Sequence, residues 1–173
     1  NMAVMLRHHG MALQQAGWGK LSLLQYDNRA DPAVRQHGEV GWRTSFTSIG
    51  LQTQFDDLVL IGQAMAGETE IRPTATVDAI THFQAAFLLA SWDLGDWRPA
   101  ARFDVFATDV HPNPSLGEHG HAMTLALNWA PRQWLRLTGE ALYIDSTRAQ
   151  RVTVGRDPEA AEVQMQLSAR IYV

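Results

Sequence analysis

The feature that most constrains the fold is a two-residue periodicity of apolar side chains, clearest in the last segment, "EVQMQLSARIYV". From Val163 to Val173 every second residue is apolar, and polar residues such as Gln164 and Arg170 lie between them. Successive side chains of a strand point to opposite faces of a sheet. The alternation therefore predicts a β-strand with one apolar and one polar face.

Three preceding segments alternate in the same way: "WLRLTGEALYID", "HAMTLALNW" and "WRPAARFDVFA". Four less regular stretches, rich in aromatic and β-branched residues, predict further strands. They cover residues 19 to 28, 41 to 55 with a bulge near Ser48, 57 to 67, and 81 to 92. Eight strands are thus expected within residues 18 to 173. The segment 1 to 17 is uncertain: "MAVMLRH" is suited to a ninth strand, whereas "GMALQQAG" has helical composition.

The predicted connections alternate between long and short. Long loops are expected at about residues 28 to 40, 67 to 78, 108 to 120 and 146 to 161, and short turns at 56 to 57, 93 to 96 and 130 to 133. An antiparallel up-and-down sheet with all its long loops at one end follows. Two folds have this form: a transmembrane β-barrel with apolar side chains outward, and a soluble lipocalin-like barrel with apolar side chains inward.

Aromatic residues beside the short turns favour the membrane barrel. Such barrels carry aromatic girdles where the strands cross the two bilayer interfaces, because an indole ring suits the apolar layer and its N–H the headgroup zone. We expect this end of the strands to lie at the periplasmic interface and the long loops to be extracellular. Periodicity places Trp129 on the face of Leu125, but Trp134 on the opposite face, at the mouth of the lumen. The predicted interface residues are Phe55, Trp92, Trp97, Trp129 and Trp134.

The polar faces of the predicted strands carry long charged side chains, as expected of a wet lumen. Five arginines against two carboxylates would give the channel wall a positive field that favours anions. The alternative is that the arginines form cross-strand ion pairs and leave little net field. The predicted pore-lining residues are Arg43, Arg98, Arg102, Arg136 and Arg170 with Asp104 and Glu140.

Composition argues against several other functions. A net charge of -4 without a basic cluster disfavours nucleic acid as a partner. The chain has no cysteine, and the pairs His8-His9 and His119/His121 lack a third ligand, so we predict neither a metal site nor a cofactor. No nucleotide-binding or nucleophile motif is present, and we expect no catalytic activity. No signal peptide is visible at the first residues, which is expected of a non-exported chain, a mature product or a fragment.

The chain from about residue 40 onward resembles the C-terminal part of proteobacterial outer-membrane porin-like proteins, and is similar to the phosphate-selective porin O/P group. The phrases that carry the resemblance are "WRTSF", "IGLQTQFDDLVLIGQAMAGET", "FQAAFLLASWDLGDWRPAARFDVFATD", "EHGHAMTLALNWAPRQWLRLTGEALYIDSTR" and "VQMQLSARIYV". The resemblance implies a larger barrel and an exported precursor. The chain departs from that pattern in its small number of strands and in its final Val173, where an aromatic residue is usual.

We therefore predict an all-β, antiparallel up-and-down transmembrane barrel of eight or nine strands, or part of a larger one, in a bacterial outer membrane. Its expected function is passive diffusion of small anionic solutes. Expected partners are the bilayer, lipopolysaccharide and either further copies of the chain or upstream strands of the same barrel. The alternatives are a small closed barrel with a structural or adhesive role, and a soluble lipocalin-like carrier with Leu125, Leu127, Leu135 and Leu137 pointing into its cavity.

Overall fold

A computed structural model describes residues 9 to 16, 19 to 28, 41 to 74 and 77 to 172. These residues form one sheet of nine strands in which each strand pairs antiparallel with the next along the chain, so the predicted up-and-down topology is confirmed. The strands are β1 (His9–Ala16), β2 (Gly19–Asp27), β3 (Gly41–Phe55), β4 (Leu58–Thr74), β5 (Val77–Trp92), β6 (Trp97–His111), β7 (Glu118–Arg132), β8 (Leu135–Thr147) and β9 (Glu159–Ile171).

The register brings the apolar side chains of neighbouring strands onto one face. Phe103 of β6 is paired with Met123 of β7, which is paired with Tyr143 of β8 and, through it, with Val163 of β9. These residues are exposed, whereas the residues between them on the opposite face are mostly half-buried. We call the exposed apolar side the outward face and the other the inner face.

The sheet has no water-excluding core of its own. Among the described residues Ala122 is the one buried hydrophobic residue, while Leu125 is 50% exposed and Leu167 89% exposed. A water-soluble domain of this size buries many of its Leu, Ile and Phe side chains. The lipocalin-like alternative is therefore wrong, because its four diagnostic leucines lie on the outward face and not around a cavity on the inner face.

The β4–β5 connection is much shorter than predicted. A long loop at residues 67 to 78 is wrong, because β4 continues to Thr74 and β5 begins at Val77. Thr69 pairs with Thr81 and Ile71 with Ala79 in a long hairpin. Polar residues obscured the strand: Glu68 and Glu70 lie on one face and Thr69 lies between them on the other, so the segment lacks the apolar alternation of the other strands. The predicted loop at 28 to 40 lies almost entirely outside the described residues.

The two other connections at this end contain local structure. The long loop predicted at residues 108 to 120 is wrong in its bounds, because β6 continues to His111 and β7 begins at Glu118. Residues 112 to 117 join the two strands through a 3-10 helix at Pro114–Leu116, where the Asn113 side chain accepts a hydrogen bond from the Ser115 backbone N–H. Residues 148 to 158 join β8 to β9 through a second 3-10 helix at Ala149–Val154. Both lie at the opposite end of the sheet from the short turns.

The short turns lie near the predicted positions. Asp56 and Gly95 adopt the left-handed backbone conformation that tight turns require, with φ of 49° and 73°. The β7–β8 turn is displaced: β7 continues through Pro131 to Arg132, and the turn occupies residues 133 and 134. A register shift between Trp129 and Arg132 accommodates the proline, which cannot donate a ladder hydrogen bond.

Strand β3 differs from expectation in its regularity. Its register with β2 and with β4 is continuous through Ser48, so the predicted bulge is absent. At the N-terminal side, His9–Ala16 is a strand although its composition is helical, because pairing with β2 outweighs a weak local propensity. The alternative strand at "MAVMLRH" lies outside the described residues.

The two outermost strands leave the sheet open. Among the described residues β1 pairs with β2 alone and β9 with β8 alone, so no β1–β9 ladder closes a barrel. Strand β9 is consequently exposed on both faces along nearly its whole length. An open edge of this kind cannot face hydrocarbon, because its backbone groups would lack hydrogen-bond partners.

Candidate functional site on the inner face

The outward face is an apolar band bordered by aromatic residues. On β7 the band runs from Trp129 at the short-turn end to Met123, and on β9 from Ile171 to Val163. The β9 stretch has nine residues, which matches the roughly 9 to 11 tilted residues that span a bilayer, and the β7 stretch has seven. At the far border His121 lies between the rings of Phe103 and Tyr143, with centroid distances of 6.0 and 6.4 Å.

The predicted interface residues gather at the short-turn end. Trp97 and Trp129 are register partners whose rings stack at 5.0 Å with an interplanar angle of 8°. Trp92, paired with Leu58, is on the same outward face and is exposed, as is Phe55. Trp134 differs from its expected place on a strand, because it lies within the β7–β8 turn, where its carbonyl accepts a hydrogen bond from the Tyr172 N–H.

The inner face of β6 to β9 carries four arginines and four carboxylates. Arg98, Arg136 and Arg170 each lie one residue from the short-turn end of their strand. Glu118 and Glu162 lie toward the long-loop end, and the middle of the face holds the others. The eight residues are Arg98, Arg102, Arg136 and Arg170 with Asp104, Glu118, Glu140 and Glu162.

Two of the predicted arginines are neutralised by carboxylates. The Arg102 guanidinium donates from Nε to both Asp104 carboxylate oxygens at 2.9 Å, and it covers the Phe87 ring at 4.0 Å from the centroid. Arg98 forms an ion pair with Asp93 of the β5–β6 turn. The hydrogen bond and positive charge of Arg98 hold the pKa of Asp93 below its ordinary value.

Arg43 lies on the other side of the sheet from the lumen predicted for it. Because β3 has no bulge, Arg43 shares the outward face with Ile49, and its guanidinium contacts the Glu70 carboxylate at 3.1 Å. Glu68 and His82 lie beside it, 3.8 Å apart. This polar group lies beyond the apolar band, at the long-loop end of the sheet.

Arg136 and Arg170 are direct register partners on β8 and β9. Neither lies within ion-pair distance of a carboxylate among the described side chains. Glu140 lies four residues from Arg136 along β8 and is opposite Gln166. The ion pairs thus neutralise the positive charges of Arg98 and Arg102. Arg136 and Arg170 remain as the cationic residues of the inner face of β6 to β9.

Sequence periodicity missed a polar network at the long-loop end. Arg151 of the β8–β9 connection reaches the inner face, where it donates to the Ser146 hydroxyl at 2.8 Å and to Glu118 at 3.3 Å. It also donates to the carbonyls of Ser146 and Pro158, at 2.6 and 3.0 Å. The alternation of side chains along β7 and β8 predicts that Glu118 and Ser146 lie on the inner face. It does not predict that Arg151 of the loop forms hydrogen bonds with them.

Aromatic packing on the inner face of β2 to β5 was also missed. Tyr26 and Phe46 stack at 5.4 Å, and Phe83 adjoins Phe46 at 6.4 Å. Gly67 lies against Phe46 so closely that an added Cβ would be 2.4 Å from the Phe46 Cβ. The inner face therefore carries an aromatic cluster on β2, β3 and β5, and its arginines and carboxylates on β6 to β9.

No metal-like cluster and no membrane-crossing helix occur in the described part of the chain. His119 and His121 both belong to the outward face, and no three described His, Asp or Glu side chains are grouped closely enough to hold an ion. None of the described helical segments is long and apolar enough to traverse a bilayer.

Comparison with known proteins gives structural neighbours alone. No protein-family model and no curated protein matches the chain. OmpT folded in vitro, an outer membrane protein of Vibrio cholerae, has 13% identity and a TM-score of 0.68, with 95% of this chain and 53% of that chain covered. Outer-membrane expressed OmpT of Vibrio cholerae has 12% identity and a TM-score of 0.62, with 95% of this chain and 54% of that chain covered.

The chain therefore spans about half the length of these neighbours. At such identity the likeness concerns the backbone, and it agrees with the predicted bacterial outer-membrane location, since both neighbours are outer-membrane proteins. The outward apolar band, the aromatic border and the matched topology lead to one conclusion: this chain has the fold of an outer-membrane β-barrel protein.

Proposed function

We propose that the chain is part of the wall of an outer-membrane channel through which small anionic solutes diffuse passively. The observation that carries the proposal is the two-sided sheet: an apolar band on the outward face that lipid can cover, and an inner face with charged residues on each strand from β6 to β9. A channel lumen accounts for charged side chains at mid-strand positions such as Arg102 and Glu140. The resemblance to phosphate-selective porins supports anions as the solute class.

The proposed channel needs more strands than the nine described here. Strand β9 presents an unpaired edge with Leu167 and Met165 exposed, and a barrel removes such edges by pairing them. The neighbours, about twice as long, support completion by further strands of the same barrel. The polar group around Arg43 and Glu70 is suited to contact with lipopolysaccharide headgroups outside the apolar band.

Selectivity provides the test of function. The complete barrel that contains these strands is refolded in detergent and checked by heat-modifiable gel migration. Its reversal potential is then measured in planar bilayers under a potassium chloride gradient. We expect conductance with a preference for chloride. A preference for potassium would contradict the anion proposal.

The competing function is a narrow closed barrel with a structural or adhesive role. The Arg102–Asp104 and Arg98–Asp93 pairs favour it, because paired charges fill a lumen without creating a field. This alternative predicts heat-modifiable migration and no conductance. The same two measurements therefore separate it from a channel.

A further inference from the structure

The inner-face arginines differ in their counter-charges, and this difference points to a binding site. Arg98 and Arg102 each have a carboxylate in contact, whereas Arg136 and Arg170 have none among the described residues. Directly opposite residues on antiparallel strands have Cβ atoms about 5 Å apart, and like charges at that spacing destabilise a sheet. An anion between the two guanidinium groups would remove the repulsion.

The surroundings of the pair are open to water. A depression of about 410 Å³ beside Arg136 is bordered by Arg132, Gln133 and Tyr172, with Asp96 as its one acidic residue. Arg136 and Arg170 are both exposed, so a solute can reach them from water. Because Arg98 at this end is paired with Asp93, Arg136 and Arg170 supply its positive charge, while Glu118 and Glu162 lie toward the other end.

We propose that Arg136 and Arg170 form a two-armed site for an oxyanion of a free solute, such as a phosphate or carboxylate group, at the short-turn mouth of the lumen. Each guanidinium offers paired N–H donors in a planar fork that matches two oxygens of such an anion. This inference deepens the proposed channel function and rests on it for the identity of the solute. The binding step itself requires only the two arginines.

Binding of inorganic phosphate to the refolded full chain in detergent micelles tests the site. The broadening of the phosphorus NMR signal is titrated for the wild type, Arg136→Gln, Arg170→Gln and the double variant. We expect each single variant to weaken binding about tenfold, and the double variant to be little worse than either single one, because both arms hold one anion.

Arg98→Gln is the matched control. It removes the same charge from the same end of the inner face, but Arg98 lies on β6, is ion-paired with Asp93 and is outside the Arg136–Arg170 pair. We expect less than a twofold change. Equal weakening by this control would show a diffuse field and overturn the site, as would wild-type affinity in the double variant.

A second ligand distinguishes a solute site from a lipid site. Dihexanoyl phosphatidylglycerol carries the same phosphate chemistry on a lipid headgroup. If it binds ten times more tightly than inorganic phosphate in an Arg136-dependent way, the free-solute proposal is overturned. Comparable or weaker binding supports it.

Failure of this inference is separable from failure of the channel proposal. Chloride preference in bilayers without arginine-dependent phosphate binding would contradict the proposed site and support the proposed channel. Arginine-dependent phosphate binding without conductance would support the proposed site and contradict the proposed channel.

Discussion

Among single residues, Trp97 and Trp129 show most clearly how the strand register brings two side chains into contact. Trp97 begins β6 and Trp129 lies near the end of β7, so antiparallel register makes them partners, and their rings stack nearly parallel. The pair lies on the outward face beside the short turns. An interfacial location and a cross-strand aromatic contact are thus provided by the same two side chains.

We expect a favourable coupling energy between Trp97 and Trp129. In a double-mutant cycle with Trp97→Leu and Trp129→Leu, the coupling should be about 0.5–1.5 kcal/mol, the usual contribution of an aromatic pair beyond burial. The measurement is urea unfolding of the refolded chain in phospholipid bilayers, followed by circular dichroism. A cycle between Trp92 and Trp129 is the control, because no ring contact joins them among the described residues, and it should give additive effects.

A second residue-scale prediction concerns the β5–β6 turn. Arg98 depresses the pKa of Asp93 relative to the ordinary value of 3.8. A depressed folded-state pKa means that the ionised carboxylate contributes stability above pH 3.8, and that the contribution disappears as the pH falls through the folded-state pKa. Carbon NMR titration of the Asp93 carboxyl should show its pKa rising toward 3.8 in Arg98→Gln. An unchanged titration would contradict the pairing.

Residue positions were predictable from periodicity, but residue partners were not. The faces of Arg98, Arg102, Arg136 and Arg170 follow from counting along each strand. Whether an arginine meets a carboxylate depends on turn geometry for Asp93 and on rotamers for Asp104. The predicted face of Arg43 was wrong because the prediction placed a bulge near Ser48, and a bulge reverses the alternation of side chains. Strand β3 has no such bulge, so Arg43 lies on the outward face.

At the scale of elements, the β8–β9 connection is a loop held to the sheet by one side chain. Arg151 joins the loop to the end of β8 at Ser146, which is 3% exposed, and to the start of β7 at Glu118. The Gly155 N–H also bonds to the Val152 carbonyl at 3.0 Å, which closes the 3-10 helix. The loop therefore has a defined position over the long-loop end of the inner face.

Removing this anchor should release the loop while leaving the sheet intact. In Arg151→Met we expect the amides of residues 149 to 155 to exchange with deuterium about tenfold faster, because hydrogen bonds to a charged group contribute about 1.5–3 kcal/mol. Mass spectrometry of the refolded chain measures the exchange. Arg156→Met is the matched control, since Arg156 is exposed in the same loop. Equal protection in both variants would refute an anchoring role.

For the whole molecule, the orientation of the sheet toward lipid is the property on which the other interpretations depend. Leu125 lies midway along the outward band of β7 and Thr124 lies beside it on the inner face. The two residues are adjacent in the chain and face different solvents. They therefore form a direct internal comparison.

We expect Leu125→Lys to destabilise the bilayer-inserted chain by about 2–4 kcal/mol, as a cation does near the midplane on the lipid face of a barrel. Thr124→Lys should cost less than about 1 kcal/mol, because its side chain can reach the wet inner side. Urea unfolding in bilayers measures both. A larger loss for Thr124→Lys would show that the faces are reversed.

Strand periodicity, the up-and-down order and the face of most side chains in β6 to β9 could be predicted from the sequence. These properties follow from local geometry, since a strand alternates its side chains whatever its neighbour. The folded sheet was needed for the length of the β4–β5 hairpin, the Arg102–Asp104 and Arg98–Asp93 pairs, the Arg151 anchor, and the lack of a carboxylate partner for Arg136 and Arg170 among the described residues. Each of these depends on register and on loop positions between residues far apart in the chain, where many polar arrangements satisfy the same alternating pattern.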